Sequence, residues 1–320
     1  MDSPAALVLA ASVRTRRSRA LALGLLACLW PLAALTPARA ADAVLEQAAK
    51  SGEVLMVGPA DSPPLVTIGP KGEPEGYAIE LGRRIDRQLK AELGNNVRIR
   101  FAPVDNAAVT LGAVSSGKAG LACGVPFRWE HEQLVDFSLP IGLSGLRLLT
   151  RSGSLDGSPA SLAGQPIAVV EGSLGAGLLA SLQPNAKAVS VPSLAQAVTA
   201  LEQKRVTGVL GDANVLAGLQ HQRRLSGLAL VPEQPYVSYG VGCIVPENNS
   251  RLLNVVNLAI AGLIQGYLEG RPEAVASVAP WVGPTGVLVV PAERVRAFFE
   301  SVLLSREGFQ LAAPSPEAPR

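Results

Sequence analysis

The sequence predicts an α/β fold built around parallel strands, and three observations carry that expectation. Short apolar runs bounded by Gly or Pro alternate with amphipathic stretches at helical spacing, the signature of strand–helix units packed into a parallel sheet. The alternation breaks after GLACG (Gly120–Gly124) and resumes at SGLRLLTR (Ser144–Arg151), which splits the chain into successive α/β stretches. Hydrophobic residues make up 48% and charged residues 17% of the 320 positions, so there is ample material for a buried core.

EVLMVG, Glu53 to Gly58, is a short apolar run ending in Gly and reads as a buried strand. DSPPL after it is a loop, because its two prolines remove donors and bias their predecessors away from helix. KGEPEG is turn chemistry. In YAIELGRRIDRQLKAELG the apolar residues Ile79, Leu81, Ile85, Leu89 and Leu93 line one helical face, and Gly94 is a natural stop. VRIRFAPV alternates like a strand, a small-residue helix runs from Asn106 to Ser115, and GLACG is another buried strand.

Past the break, SGLRLLTR is a strand, SGSLDGSPASLAG a loop and QPIAVVEG a strand. SLGAGLLASL is a helix whose start is marked by Gly172-Ser173. AKAVSVP is a strand, SLAQAVTALEQKRV a helix capped by Ser193, and TGVLGD a strand ending at Asp212. YGVGCIVP from Tyr239 is again a strand. Helices are expected over Asn254–Leu268 and Pro291–Ser305, and residues 311–320 read as a disordered tail.

Charge is unevenly placed. The formal net charge is +2, yet Arg14, Arg16, Arg17, Arg19 and Arg39 against Asp2 give the first forty residues +4 and leave −2 for the rest, no footprint for nucleic acid. The basic stretch precedes an apolar run from Ala20 to Leu35 and then Ala38-Arg39-Ala40, the three parts of a secretory signal peptide. That run is short of the roughly 20 residues a spanning helix needs, so cleavage after Ala40 and a periplasmic mature protein are expected. A lipid anchor at Cys28 of LLAC is the minority alternative. No later segment reads as long and apolar enough to span. Cys123 and Cys243 would remain after cleavage, and the sequence favours two buried free thiols over a pair.

Six pieces in register resemble the family 3 extracellular solute-binding proteins that serve amino-acid ABC transporters. They are EVLMVGPADSPPL, GEPEGYAIELGRRI, SSGKAGLACG, EHEQLVDFSLPIGLSGL, SLAGQPIAVVEGSLG with ALEQKRVTGVLGDANVL, and YGVGCIVPENNSRLLNVVNLAIAGL, together covering about Gly52 to Gly270. The resemblance implies a two-lobed periplasmic-binding-protein-like fold of type II, with two parallel-rich sheets joined by a two-stranded hinge. Lobe one would comprise residues 41–146 and 239–310, and lobe two residues 147–238. A small polar solute, an amino acid or related carboxylate, would be captured between the lobes for a membrane permease. The protein would be a monomer with no cofactor and no catalytic residue.

The same resemblance supplies a candidate site. Asp212 would take a ligand ammonium, since a desolvated carboxylate accepts strong charge-assisted hydrogen bonds, although DANV also reads as a helix cap. Gly172, Ser173 and Leu174 would open a helix whose free N–H groups hold a carboxylate. Gly124 marks close approach of backbone to ligand, and Asp61 and Pro126 complete the set. His131 stands where the family places its carboxylate-clamping arginine, with Arg128 as a possible substitute or a solvated charge. Ser62 and Ala107 stand where relatives carry rings, and Pro126 where they carry a hydroxyl. These departures point to a different ligand or a decayed site. The rival readings are an enzyme of dehydratase type and a ligand-free sensor or scaffold. With His131 and His221 as its only histidines, the chain lacks a Ser–His–Asp arrangement and a metal-spaced cluster.

Overall fold

The computed structural model describes residues 42–94 and 96–307. The expected signal peptide, Cys28 and the expected tail lie outside the described residues.

The chain opens with α1 (Ala43–Ser51), stopped by Gly52 at φ 74°, where a side chain would meet the Asn96 carbonyl oxygen at 2.9 Å. There follow β1 (Glu53–Pro59), the short hairpin β2 (Thr67–Ile68) and β3 (Pro74–Glu75), α2 (Tyr77–Leu93), β4 (Arg98–Val104) and α3 (Ala107–Ser115). The face of α2 that the sequence marks is the buried one, with Ile79, Leu81, Ile85 and Leu89 turned inward. Next come β5 (Ala122–Pro126), β6 (Val135–Phe137), the ten-residue β7 (Gly142–Arg151) and α4 (Pro159–Leu162). Then β8 (Pro166–Val170), α5 (Leu174–Leu182), β9 (Lys187–Val191), α6 (Leu194–Glu202), β10 (Gly208–Asp212), α7 (Ala213–Gln222) and β11 (Leu228–Val231) alternate as expected. Ser193 caps α6 by accepting from the Gln196 N–H. The ten-residue β12 (Val237–Pro246) leads to α8 (Ser250–Leu268), α9 (Pro272–Val278), the pair β13 (Val282–Gly283) and β14 (Leu288–Val289), and α10 (Ala292–Glu307).

Two larger apolar cores lie at opposite ends of the central strand path, one at β5 and β12 and the other at β8 and β10. One gathers residues from α1, α2, β1, β12, α8, α9 and α10, and the other Leu149, Ala168 and residues of α6, β10 and α7. Smaller clusters lie beneath α3 and between β8 and α5. The strand order β5-β12-β7-β10-β8-β9 is one hydrogen-bonded path, with β6 on β12 and β11 on β7.

The parallel sets expected of the two halves are present, but β7 and β12 join β5 to β10, β8 and β9 in one hydrogen-bonded path rather than two separate sheets. β8 runs parallel to β9 and β10, and β1 parallel to β4, but β7 and β12 pair antiparallel with each other and with their other neighbours. The first half of β7 lies on β12 and its second half on β10 and β11. Strand–helix alternation reports how neighbouring parallel strands connect. It is silent about two long strands that arrive from the opposite end.

Three further corrections follow. Cys123 and Cys243 form a disulfide, because antiparallel pairing sets them opposite one another on β5 and β12. Their separation of 120 residues hides that register from the sequence. By length and composition α8 could cross a membrane, yet Leu252, Val256, Ile260, Leu263 and Ile264 are buried in the first core, so it is a core helix. Within the expected loop after β7, Ser158 and Pro159 start the short α4, with Ser158 accepting from the Ser161 N–H.

Candidate functional site

β8 and β10 are parallel neighbours, and their carboxyl ends carry the strongest candidates. In open α/β sheets that end is where ligands bind. Asp212 is at once the last residue of β10 and the N-cap of α7. Its Oδ1 accepts from the Val215 N–H at 3.0 Å and the Ser144 hydroxyl at 2.9 Å, and its Oδ2 from the Tyr239 hydroxyl at 2.8 Å. Ser144 on β7 and Tyr239 on β12 face each other across the ladder, so both long strands converge on this one carboxylate.

Burial pushes the Asp212 carboxyl above its ordinary value, and the hydrogen bonds from Val215, Tyr239 and Ser144 oppose that rise. The Tyr239 phenol is raised as well, first by burial and then by the Asp212 charge, so it stays a donor. Asp212 thus acts as the cap of α7 through the same carboxylate that the ligand reading needs.

Two residues past the end of β8, Gly172 takes φ 68°, a conformation that favours glycine. Ser173 caps α5 by accepting from the Ala176 N–H at 3.3 Å, and Leu174 is the first helical residue. Gly175 is pressed on β10, where a side chain would meet the Leu210 carbonyl oxygen at 2.8 Å. The structure thus brings the Gly172–Leu174 turn and Asp212 to one end of adjacent strands.

The remaining candidates come from β5, the loop after β1 and the turn between β5 and β6. Gly124 on β5 takes φ 89°, and a side chain there would stand 2.8 Å from Leu65 Cδ1. Pro126 closes β5 opposite Val241 of β12. Asp61, in the loop after β1, receives a 3.5 Å hydrogen bond from the hydroxyl of Ser193. His131 lies in the turn between β5 and β6, its N–H donating to the Arg128 carbonyl at 3.0 Å. Its Nδ1 is enclosed without a protein partner. Burial, then the Arg128 charge, pushes the His131 pKa below its ordinary value against the pull of Glu130. Arg128 places its Nε 3.4 Å from Glu130 Oε2, an ion pair without hydrogen-bond geometry, and that Nε is buried. His221 is exposed in the last turn of α7, as its polar surroundings suggest.

The sequence did not single out Ser144 or Leu65, and it marked Tyr239 only as a strand start. A serine and a tyrosine on separate strands carry no spacing signal; only the antiparallel register pairs them. Two surface hollows, one between α2 and β4 and one beside α1, include none of the candidates. Among the described residues no three His, Cys, Asp or Glu side chains gather to hold a metal ion.

The profile of bacterial extracellular solute-binding proteins, family 3, matches residues 55–267. ABC transporter arginine-binding protein 1 of Escherichia coli (strain K12) is 25% identical over 211 residues, which span 63% of this chain and 81% of that protein. The virulence sensor protein BvgS of Bordetella bronchiseptica is 29% identical over 171 residues, 53% of this chain but 14% of that much longer protein. Among solved structures, an ancestral arginine-binding protein bound to arginine superimposes with a TM-score of 0.62 at 24% identity, covering 72% of this chain and 99% of the other. That likeness shows a shared periplasmic-binding-protein-like α/β fold.

Proposed function

Since the chain belongs to the bacterial extracellular solute-binding proteins of family 3, we propose that it captures a small zwitterionic solute, an amino acid or a close relative, for an ABC transporter permease. The residues around 41–146 and 239–310 form lobe one, those around 147–238 lobe two, and β7 and β12 are the hinge. Separate apolar cores on either side of these two strands support that division. The protein acts as an exported, non-enzymatic monomer. The solute lies between lobes, its ammonium group on Asp212 and its carboxylate toward the Gly172–Leu174 turn, with Gly124, Pro126, Asp61 and His131 lining the facing side.

The observation that carries this reading is Asp212 itself: a desolvated carboxylate at the carboxyl end of a parallel strand, aimed by Ser144 and Tyr239 from both hinge strands. The arginine-binding proteins among the relatives add weight to an amino-acid ligand. His131 in place of a permanent cation makes the grip on the ligand carboxylate weaker and dependent on protonation.

A thermal-shift screen against amino acids and small carboxylic acids tests the proposal, because a ligand that binds the native state raises its melting temperature by mass action. Stabilisation without turnover of the hit supports it. Product formation would make the chain an enzyme, and no shift across the panel would leave the lobes a scaffold.

A further inference from the structure

We propose that the Asp61–Leu65 loop is a built-in latch, seated on Gly218 of α7, which holds the two lobes together without a bound solute. The inference rests on the two-lobe division above and is independent of which solute binds.

Three contacts carry it, all between this lobe-one loop and lobe two. The Pro63 carbonyl oxygen lies 2.2 Å from where a Cβ on Gly218 would stand, with the Pro63 carbonyl carbon at 2.5 Å and Pro64 N at 2.9 Å, so backbone meets helix with no room for a side chain. Leu65 packs against the first core and against the second, the core that contains Val215, Leu216 and Leu219 of α7. Asp61 accepts from Ser193 at the start of α6. β14, which belongs to residues beyond the family match, also lies alongside α7.

The loop is stiff enough to act as a latch. The Leu65 N–H donates to the Ser62 carbonyl at 2.9 Å, closing a turn around two prolines. The carbonyls of Pro64 and Leu65 accept from Tyr77 and Ala78, 2.8 and 3.0 Å away, which fixes the loop to the start of α2. Gly124 leaves its space to Leu65 Cδ1. The latch also bears on the candidate site, because α7 is the helix that Asp212 caps. A solute would then enter only during transient opening, and its apparent affinity would be reduced by the fraction of molecules that are open.

Small-angle scattering of the purified full chain without added solute tests this. Gly218→Ala places a Cβ against the Pro63 backbone and should raise the radius of gyration over wild type. Gly177→Ala in α5, where a Cβ meets nothing within 4 Å, controls for the gain in helix propensity and should leave it unchanged. If Gly218→Ala does not fold, Leu65→Ala removes the side chain that spans both cores and should expand the molecule in the same way. Expansion confined to the latch variants supports the proposal. A wild-type profile matched by a folded Gly218→Ala, or by Leu65→Ala where the former does not fold, would overturn it. A chain that binds nothing on the solute screen yet expands with Gly218→Ala keeps the latch and loses the solute reading.

Discussion

Burial and hydrogen bonding pull the Asp212 carboxyl in opposite directions, and burial wins. A carboxyl whose folded pKa is raised in this way costs the fold stability when ionised, and that cost appears as pH rises from the ordinary carboxylate range through the folded pKa. Asp212→Asn keeps an acceptor for Val215 and Ser144 while removing the charge. We therefore expect its melting temperature at pH 7 to equal or exceed wild type, with affinity for a zwitterion falling by about 2–5 kcal/mol. A variant that melts much lower, or binds as before, contradicts the assignment. His131 has the opposite sign. Its folded pKa lies below the ordinary value near 6.5, so the stability linked to the neutral ring is fully present above that value and is lost as pH falls. An anionic ligand resting on His131 raises that pKa again. Binding should then tighten as pH falls below about 6.5 with proton uptake, and His131→Arg should flatten the profile. Calorimetry in two buffers of different ionisation enthalpy checks both, and a flat profile with no proton uptake removes His131 from the site.

Among the elements, those with a strong local signal are the ones legible in the sequence. Ser173, Ser193 and Asp212 are written as caps and act as caps, each accepting from the N–H three residues on. α1 escaped notice because its cap is remote: the Val44 N–H donates to Asn249 Oδ1 at 3.0 Å, across 205 residues. The exchange is reciprocal, since Asp42 Oδ2 accepts from the N–H groups of Arg251 and Leu252 at the start of α8. Asn249 also donates to the carbonyls of Pro246 and Glu247 and is 4% exposed. Asn249→Ala should cost about 1–3 kcal/mol in urea unfolding, the range for leaving buried partners unsatisfied. A cost near zero would mean that water replaces the amide. The candidate site divides in the same way. The strand-end Asp212 and the Gly172-Ser173 turn could be read locally, whereas Ser144 and Tyr239 meet only through strand register and Leu65 reaches both cores only through long-range packing.

For the whole molecule, the disulfide and the long strands act together. Cys123–Cys243 ties β5 to β12 within the first core, and both sulfur-bearing residues are almost fully buried. Cross-linking residues 120 apart removes much chain entropy from the unfolded state. Replacing both cysteines by serine should lower unfolding free energy by about 3–5 kcal/mol. The sequence could not predict this pair, because it shows which residues alternate and not which strands are neighbours. Under the proposed function, these strands present Asp212 to a zwitterion. Isothermal titration of the best solute from the screen into wild type and Asp212→Asn tests that most directly. Wild type should show one saturable site per chain, with affinity lost in a variant that remains folded. Equal affinity in the two proteins, or no saturable heat in wild type, would contradict it.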